Sequence, residues 1–305
     1  MRYSGIGGQA VMEGVMMKNG DRYAVAVRKP NQEISVESFD YKGVIKNETL
    51  KKAPIIRGVL NFIDSLVLGM RSLMYSSSFF EEEEETKSKE ESERAKKKEN
   101  EEMGFTVALS VILAVGIFMV LPYYISLIFQ KFIVSKTLLA VIEGVIRLAI
   151  FVGYVVLISL MDDIKRVFMY HGAEHKCINC IEHGMELNVE NVRKSSRQHK
   201  RCGTSFLLFV MIVSIIFFAF IQVDSRILRL LLRLVLIPVI AGVSYEFIRL
   251  AGRSDNVLVN LLSKPGLWLQ NLTTREPDDA MIEVGIASVE AVFDWRAYQE
   301  EEKNP

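Results

Sequence analysis

Cysteine and histidine are scarce in this chain of 305 residues, which has three of the first and four of the second. So few cysteines, in an odd number, argue against a fold stapled by paired disulfides and point to a reducing compartment. A surplus of either charge is also missing, since 37 basic and 37 acidic side chains give a formal net charge of zero. Nothing global attracts the chain to a polyanion, so no nucleic-acid partner is expected and any electrostatic argument has to be local. Residues 1 to 20 lack a basic region followed by an apolar core, and no cleavable signal peptide is expected. No solenoid repeat is present.

What the chain has is hydrophobic length. Half of the residues are apolar and 24% are charged, so greasy and polar parts must be segregated. Residues 105–129 (FTVALSVILAVGIFMVLPYYISLIF) carry no charge, and at about 1.5 Å per residue they outreach the roughly 30 Å hydrocarbon core of a bilayer. Residues 137–161 form a second run, interrupted by Glu143 and Arg147, which stand four apart and can pair on one helix face. Residues 204–223 form a third. A fourth, 226–250, contains Arg229, Arg233 and the helix-weakening Pro238.

The expected fold class is therefore a polytopic α-helical membrane protein with about four transmembrane helices and a small cytoplasmic α+β element. Its β-hairpin is read from the alternation in residues 23–41, with a turn at Pro30-Asn31. The segments run as follows: 1–54, a cytoplasmic β-containing region; 55–80, an interfacial or re-entrant amphipathic helix, with a helix of a small cytosolic core as the alternative; 81–104, a charged linker; 105–161, helices one and two. Then come 162–203, a loop holding every His and Cys; 204–250, helices three and four; and 251–305, a cytoplasmic region whose amphipathic helix opens at Pro277-Asp278-Asp279. Lys165, Arg166, Lys176, Arg193, Lys194, Arg197, Lys200 and Arg201 crowd the 162–203 loop. The positive-inside rule puts that loop and both termini in the cytoplasm, although Arg226, Arg229 and Arg233 pull mildly the other way. The partner this implies is the lipid bilayer of the cytoplasmic (inner) membrane. Association with other membrane proteins and a homo-oligomer stay open.

All seven His and Cys residues (His171, His175, Cys177, Cys180, His183, His199 and Cys202) fall in that one window. These are the side chains that bind transition metals. On a helix, His171 and His175 in His171-Gly172-Ala173-Glu174-His175 point the same way, as two ligands of one ion must. Glu174 fits the general base of an H-x-x-E-H zinc hydrolase. That helix is expected to be the second membrane helix continued into the cytosol. The remaining ligands are open: His199 and Cys202 can close on the first pair, or Cys177 and Cys180 can build a Cys-rich structural site with Cys202 and a histidine. Plain packing at a membrane surface is the third reading.

Four strings, GGQAVMEGVMMKN (Gly7 to Asn19), HGAEHK (His171 to Lys176), HKRCGTSF (His199 to Phe206) and PGLWLQNLTTREP (Pro265 to Pro277) followed by IEVGIAS, carry a resemblance over nearly the whole chain. It resembles the YqhQ-like bacterial membrane proteins, a domain of unknown function labelled as a metal-dependent enzyme. Positions 177 and 180 lie outside that family's pattern. The resemblance therefore favours His171, His175, His199 and Cys202 as metal ligands, with Glu174 catalytic and zinc as the cofactor. The functional expectation is a zinc-assisted hydrolase of a membrane-associated peptide or lipid-linked substrate. The alternative is a non-catalytic assembly or scaffold factor with a structural metal site, and a transporter built on Glu143 and Arg147 is a weaker third. Of the other polar strings, Gly7-Gly8-Gln9 with Glu13-Gly14 reads as a tightly packed turn, and Thr273 to Glu276 as a polar loop able to fold back on the window.

Overall fold

The computed structural model describes residues 3–45, 48–80, 104–221, 223, 225–254 and 256–303. The charged segment 81–104 assigned to a linker lies outside the described residues except for Gly104.

Residues 23–41 do form a hairpin, with strand β3 (Arg22–Arg28) antiparallel to β4 (Ile34–Asp40). The alternation of Tyr23, Val25 and Val27 against Ala24 and Ala26 suits a pleated strand covered on both faces. Two further strands, β1 (Gly7–Val11) and β2 (Gly14–Asn19), extend it to a four-stranded antiparallel sheet in the order β1-β2-β3-β4. The string from Gly7 to Gly14 is thus largely strand, and only Met12 and Glu13 make the turn, where Glu13 takes a positive φ of 48°. Met16, Val25 and Val27 point to one face, packing with Val11 and Leu68. Val15, Met17 and Ala26 point to the other, packing with Ala173, Cys177, Ile282 and Val289. Each such aliphatic side chain removed from water contributes about 1.5–3 kcal/mol.

After a short helical turn at Glu48–Lys52, helix α1 (Ile56–Ser77) covers the first face of the sheet. The polar residues on one side of α1 find partners: Arg57 pairs with Glu246, Asn61 Nδ2 donates to Tyr245 Oη at 3.1 Å, and Asp64 accepts from Tyr41 Oη at 3.0 Å. Ile63, Leu66, Met70 and Leu73 remain exposed on the opposite side of α1.

Among the described residues, four helices are long and apolar enough to cross a membrane: α2 (Gly104–Phe129), α3 (Lys136–Ile158), α6 (Gly203–Phe220), and α7 (Arg226–Ala251) over Ile227–Ala251. The fold is a polytopic helical membrane architecture carrying a small amino-terminal sheet. In α2 a π-helical stretch at Gly116–Val120 precedes Pro122, whose missing N–H interrupts the ordinary ladder.

The second membrane helix does not run on into the His/Cys window as expected. It ends at Ile158, Met161 takes an extended backbone (ψ 135°), and a separate helix α4 (Asp162–Glu182) starts with Asp162 and Asp163 in its first turn. Acidic side chains there suit the positive end of a new helix dipole, and Arg275 Nη2 takes the freed Ser159 carbonyl at 3.0 Å. Beyond α4 come α5 (Val189–Lys194), then α8 (Val257–Thr273), α9 (Asp279–Glu290) and α10 (Trp295–Lys303). The carboxylate of Asp278 caps α9 by accepting from Met281 N at 2.8 Å, and α9 lies on both α4 and the sheet.

The chain divides into two compact units. One comprises Met1–Phe80, Val155–Val213 and Leu230–Pro305 and holds the sheet, α1, α4 and the whole His/Cys window. The other comprises Glu81–Tyr154 and Ser214–Arg229. Within it, Glu143 and Arg147 pair at 3.0 Å, both buried, and Arg147 Nη1 donates to Ser214 Oγ at 3.0 Å.

Candidate metal centre

Helix α4 carries His171 and His175 one turn apart, with ring centroids 4.4 Å from each other. His171 Nδ1 lies 2.8 Å from the Thr273 carbonyl oxygen, and His175 Nδ1 lies 2.6 Å from that of Arg197. A carbonyl only accepts, so each Nδ1 carries a proton and each Nε2 is the atom left for a ligand or a further proton. This is the arrangement that orients metal-binding imidazoles.

The third member arrives from a distant segment because α4 holds the backbone of the following loop. Lys176 Nζ donates to the carbonyls of Arg193 and Ser195, each at 2.9 Å, and pairs with Glu276 at 2.9 Å. Asn179 Nδ2 donates to Ser196 O at 2.6 Å and to Gln198 O at 2.9 Å. These bonds turn the chain so that Cys202, at the foot of α6, meets His171, with Sγ 3.3 Å from Nε2. The ligand atoms of His171, His175 and Cys202 all lie within 4.8 Å of one another. A metal drawing them in would need only small movements, since bonds of about 2.0–2.3 Å to zinc separate its ligands by somewhat less than that.

The electrostatics of the cluster favour a cation at its middle. Burial raises a thiol, yet His171 and His175 outweigh it and hold Cys202 well below the usual thiol range. Burial alone would depress His171, but the charge of Cys202 and its hydrogen bond, then Glu174, raise it to about 9. Glu174 Oε2 stands 3.9 Å from His171 Nε2. Burial pushes the Glu174 carboxyl up, while His175, His171 and the backbone amide of Gly8 draw it down by less.

Gly8, on β1, comes so close that a Cβ there would fall 2.8 Å from Glu174 Cγ. The glycine-rich amino terminus is therefore a wall of the centre. Glu13 is turned elsewhere: it pairs with Arg166 and accepts from Tyr170 Oη at 3.2 Å, pinning the β1–β2 turn to α4. Gly172 is needed on the other side of α4, where a Cβ would fall 2.0 Å from the Arg275 carbonyl oxygen. The Thr273 to Glu276 loop does fold back on the window, with Arg275 N bonded to Phe168 O at 2.8 Å.

His199 lies beside this cluster, its ring centroid 5.7 Å from that of His175. Its Nε2 faces Glu182 Oε2 at 3.5 Å, while its backbone is clamped by Gln270 through two bonds of 2.8 Å. Burial, with Arg201 and His175 adding to it, keeps His199 low, at about 4, and so neutral. The structure thus brings His171, His175, Cys202 and Glu174 together and sets His199 against Glu182. Cys177 and Cys180 are buried in the core between α4, α9 and the sheet, their thiols raised by burial, and do not join Cys202. His183 Nδ1 bonds its own helix at Asn179 O, 2.7 Å away. Sequence reasoning missed Lys176, Asn179, Gln270 and Glu182; the visible signal was that 175, 176 and 179 share one side of a helix.

A family model described as "Protein of unknown function (DUF1385)" matches residues 53–295. The "Uncharacterized protein YqhQ" of Bacillus subtilis (strain 168) is 35% identical over 308 residues, covering 98% of this chain and 95% of the relative. No solved structure matches.

Proposed function

Because the chain belongs to the DUF1385 family, whose function is unknown, its activity has to be read from the centre, and we propose a zinc-dependent hydrolase of the cytoplasmic membrane. Its substrate would be a membrane-associated peptide or a lipid-linked ester or amide. The observation that carries the reading is the set of two Nδ1-anchored imidazoles and a thiolate with a buried carboxylate beside them. A zinc ion bound by these donors would supply water made acidic near neutral pH. His171, His175 and Cys202 would hold the ion.

Glu174 is the base. Its carboxylate accepts one proton from the attacking water as the water oxygen bonds to the carbonyl carbon. It returns that proton to the amine or alcohol as the bond to the leaving group breaks, so it ends as it began. The raised affinity of the buried carboxyl for a proton suits that double role. The amide of Gly8 and the packing of β1 hold it in place. The basic residues of the 162–203 window support a cytoplasmic face and cytoplasmic termini.

Purified without chelators, the protein should carry about one zinc per chain by mass spectrometry. His171→Ala, His175→Ala and Cys202→Ser should each lose it, whereas Glu174→Gln should keep the metal and fail to complement a deletion of the gene. Wild type without stoichiometric metal would sink the reading. Full complementation by Glu174→Gln would instead leave a structural metal in an assembly factor.

A further inference from the structure

Helix α8 has two unlike sides. One is buried and belongs to the site: Gln270 clamps the His199 backbone and reaches Ser205 Oγ at 2.7 Å, and the Thr273 carbonyl receives His171 Nδ1. Ser263, Gly266 and Leu269 complete that side. The other side carries Val257, Leu258, Leu261, Leu262 and Trp268, all exposed, at spacings that fall on one helical stripe. Lys264, also exposed, borders that stripe on the side of Trp268. A stripe of this size facing water is uncommon in a folded protein and marks a surface meant to be covered.

We propose that α8 lies in the headgroup boundary of the bilayer with this stripe in the lipid, so that one helix both rests on the membrane and walls the metal centre. Three observations choose lipid as the occupant. The helix begins six residues after the last residue of the span α7, whose part from Leu230 on lies in the same compact unit, so its apolar side continues a surface already in the bilayer. At 17 residues α8 spans about 25 Å, short of a full crossing. A tryptophan beside a lysine is what the membrane–water interface favours, and Arg253 at the α7–α8 junction is exposed as well, where it can meet anionic headgroups. Helix α1 repeats the pattern in the same unit, with Ile63, Leu66, Met70 and Leu73 exposed while Gly69 packs against Gln9 of β1.

The consequence for substrate rests on the hydrolase reading: a molecule anchored by an acyl chain would reach the centre along the lipid surface beside α8. The placement of α8 itself does not depend on any metal.

The chain has two tryptophans, Trp268 on the stripe and Trp295 buried in the core, so Trp268 is a native reporter. The full chain would be reconstituted in phosphatidylcholine–phosphatidylglycerol vesicles, with and without brominated acyl chains, and its fluorescence compared with that of Trp268→Phe. The expected result is that brominated lipid removes most of the Trp268-dependent emission and that aqueous iodide leaves it nearly unchanged. Iodide quenching without bromolipid quenching would overturn the proposal by placing the stripe in water. Quenching by neither would also overturn it, because the stripe would then be covered by protein. Metal content is measured on the same vesicles, so bromolipid quenching in a zinc-free protein would reject the hydrolase and keep α8 in the membrane.

Discussion

Replacing Gly172 by alanine sets two effects of opposite sign against each other. Gly172 sits in the interior of α4, where alanine is favoured over glycine by about 1 kcal/mol in a free helix. The new Cβ, however, would fall 2.0 Å from the Arg275 carbonyl oxygen, a backbone atom that cannot swing aside. The segment from Thr273 to Arg275 has to move by more than about 1 Å to restore ordinary contact, and overpacking of this kind costs about 1–3 kcal/mol. That movement also breaks two bonds of 2.8 Å, Arg275 N to Phe168 O and His171 Nδ1 to Thr273 O, worth about 1 kcal/mol each. The clash wins, and the net loss is about 2–4 kcal/mol. Because the second bond fixes the tautomer of a proposed ligand, metal affinity should fall about 10–100-fold as well. Thermal unfolding in detergent and zinc competition with a graded series of chelators measure the two effects separately. A variant as stable as wild type, with unchanged zinc affinity, would refute the packing of that loop on α4.

Two further outcomes follow from the charges around the window. Cys202 is the thiol held far below its usual range while Cys177 and Cys180 are pushed up by burial, to about 11 for Cys180. Mass spectrometry after brief iodoacetamide treatment at neutral pH should find Cys202 modified first in metal-free protein and protected by added zinc; equal labelling of all three would contradict the thiolate. Burial would raise the Glu182 carboxyl, but His199 and Arg201 reverse this and hold it at about 2 against an ordinary 4.5. A depressed carboxyl stabilises the fold fully above its ordinary value and loses that contribution as pH falls toward about 2. At 1.36 kcal/mol per unit this amounts to about 3 kcal/mol. Glu182→Gln should therefore lower the melting temperature at neutral pH and flatten the part of its fall that lies below about pH 4.5. An unchanged acid limb in that variant would place the loss elsewhere.

The four long apolar helices were legible in the sequence because a bilayer imposes a length and a composition that one segment satisfies alone. The β3–β4 hairpin was legible from the alternation around Tyr23 to Val27, and His171 with His175 from a spacing of four on a helix. These are properties of neighbours along the chain. The tertiary structure decided what depends on segments far apart. Local pattern did not reveal that α3 would stop at Ile158, since the advantage of stopping lies partly in Arg275, more than a hundred residues on, taking the Ser159 carbonyl. Nor did it show that Gly8 would arrive from a strand to pack on Glu174, or that Cys202 would meet His171 while His199 turned to Glu182. His199 and Cys202 lie three apart in one string, and their composition suits a metal equally. Gln270 on α8 and the carbonyls held by Lys176 and Asn179 fix where each one points, and those bonds exist only once the layers have packed.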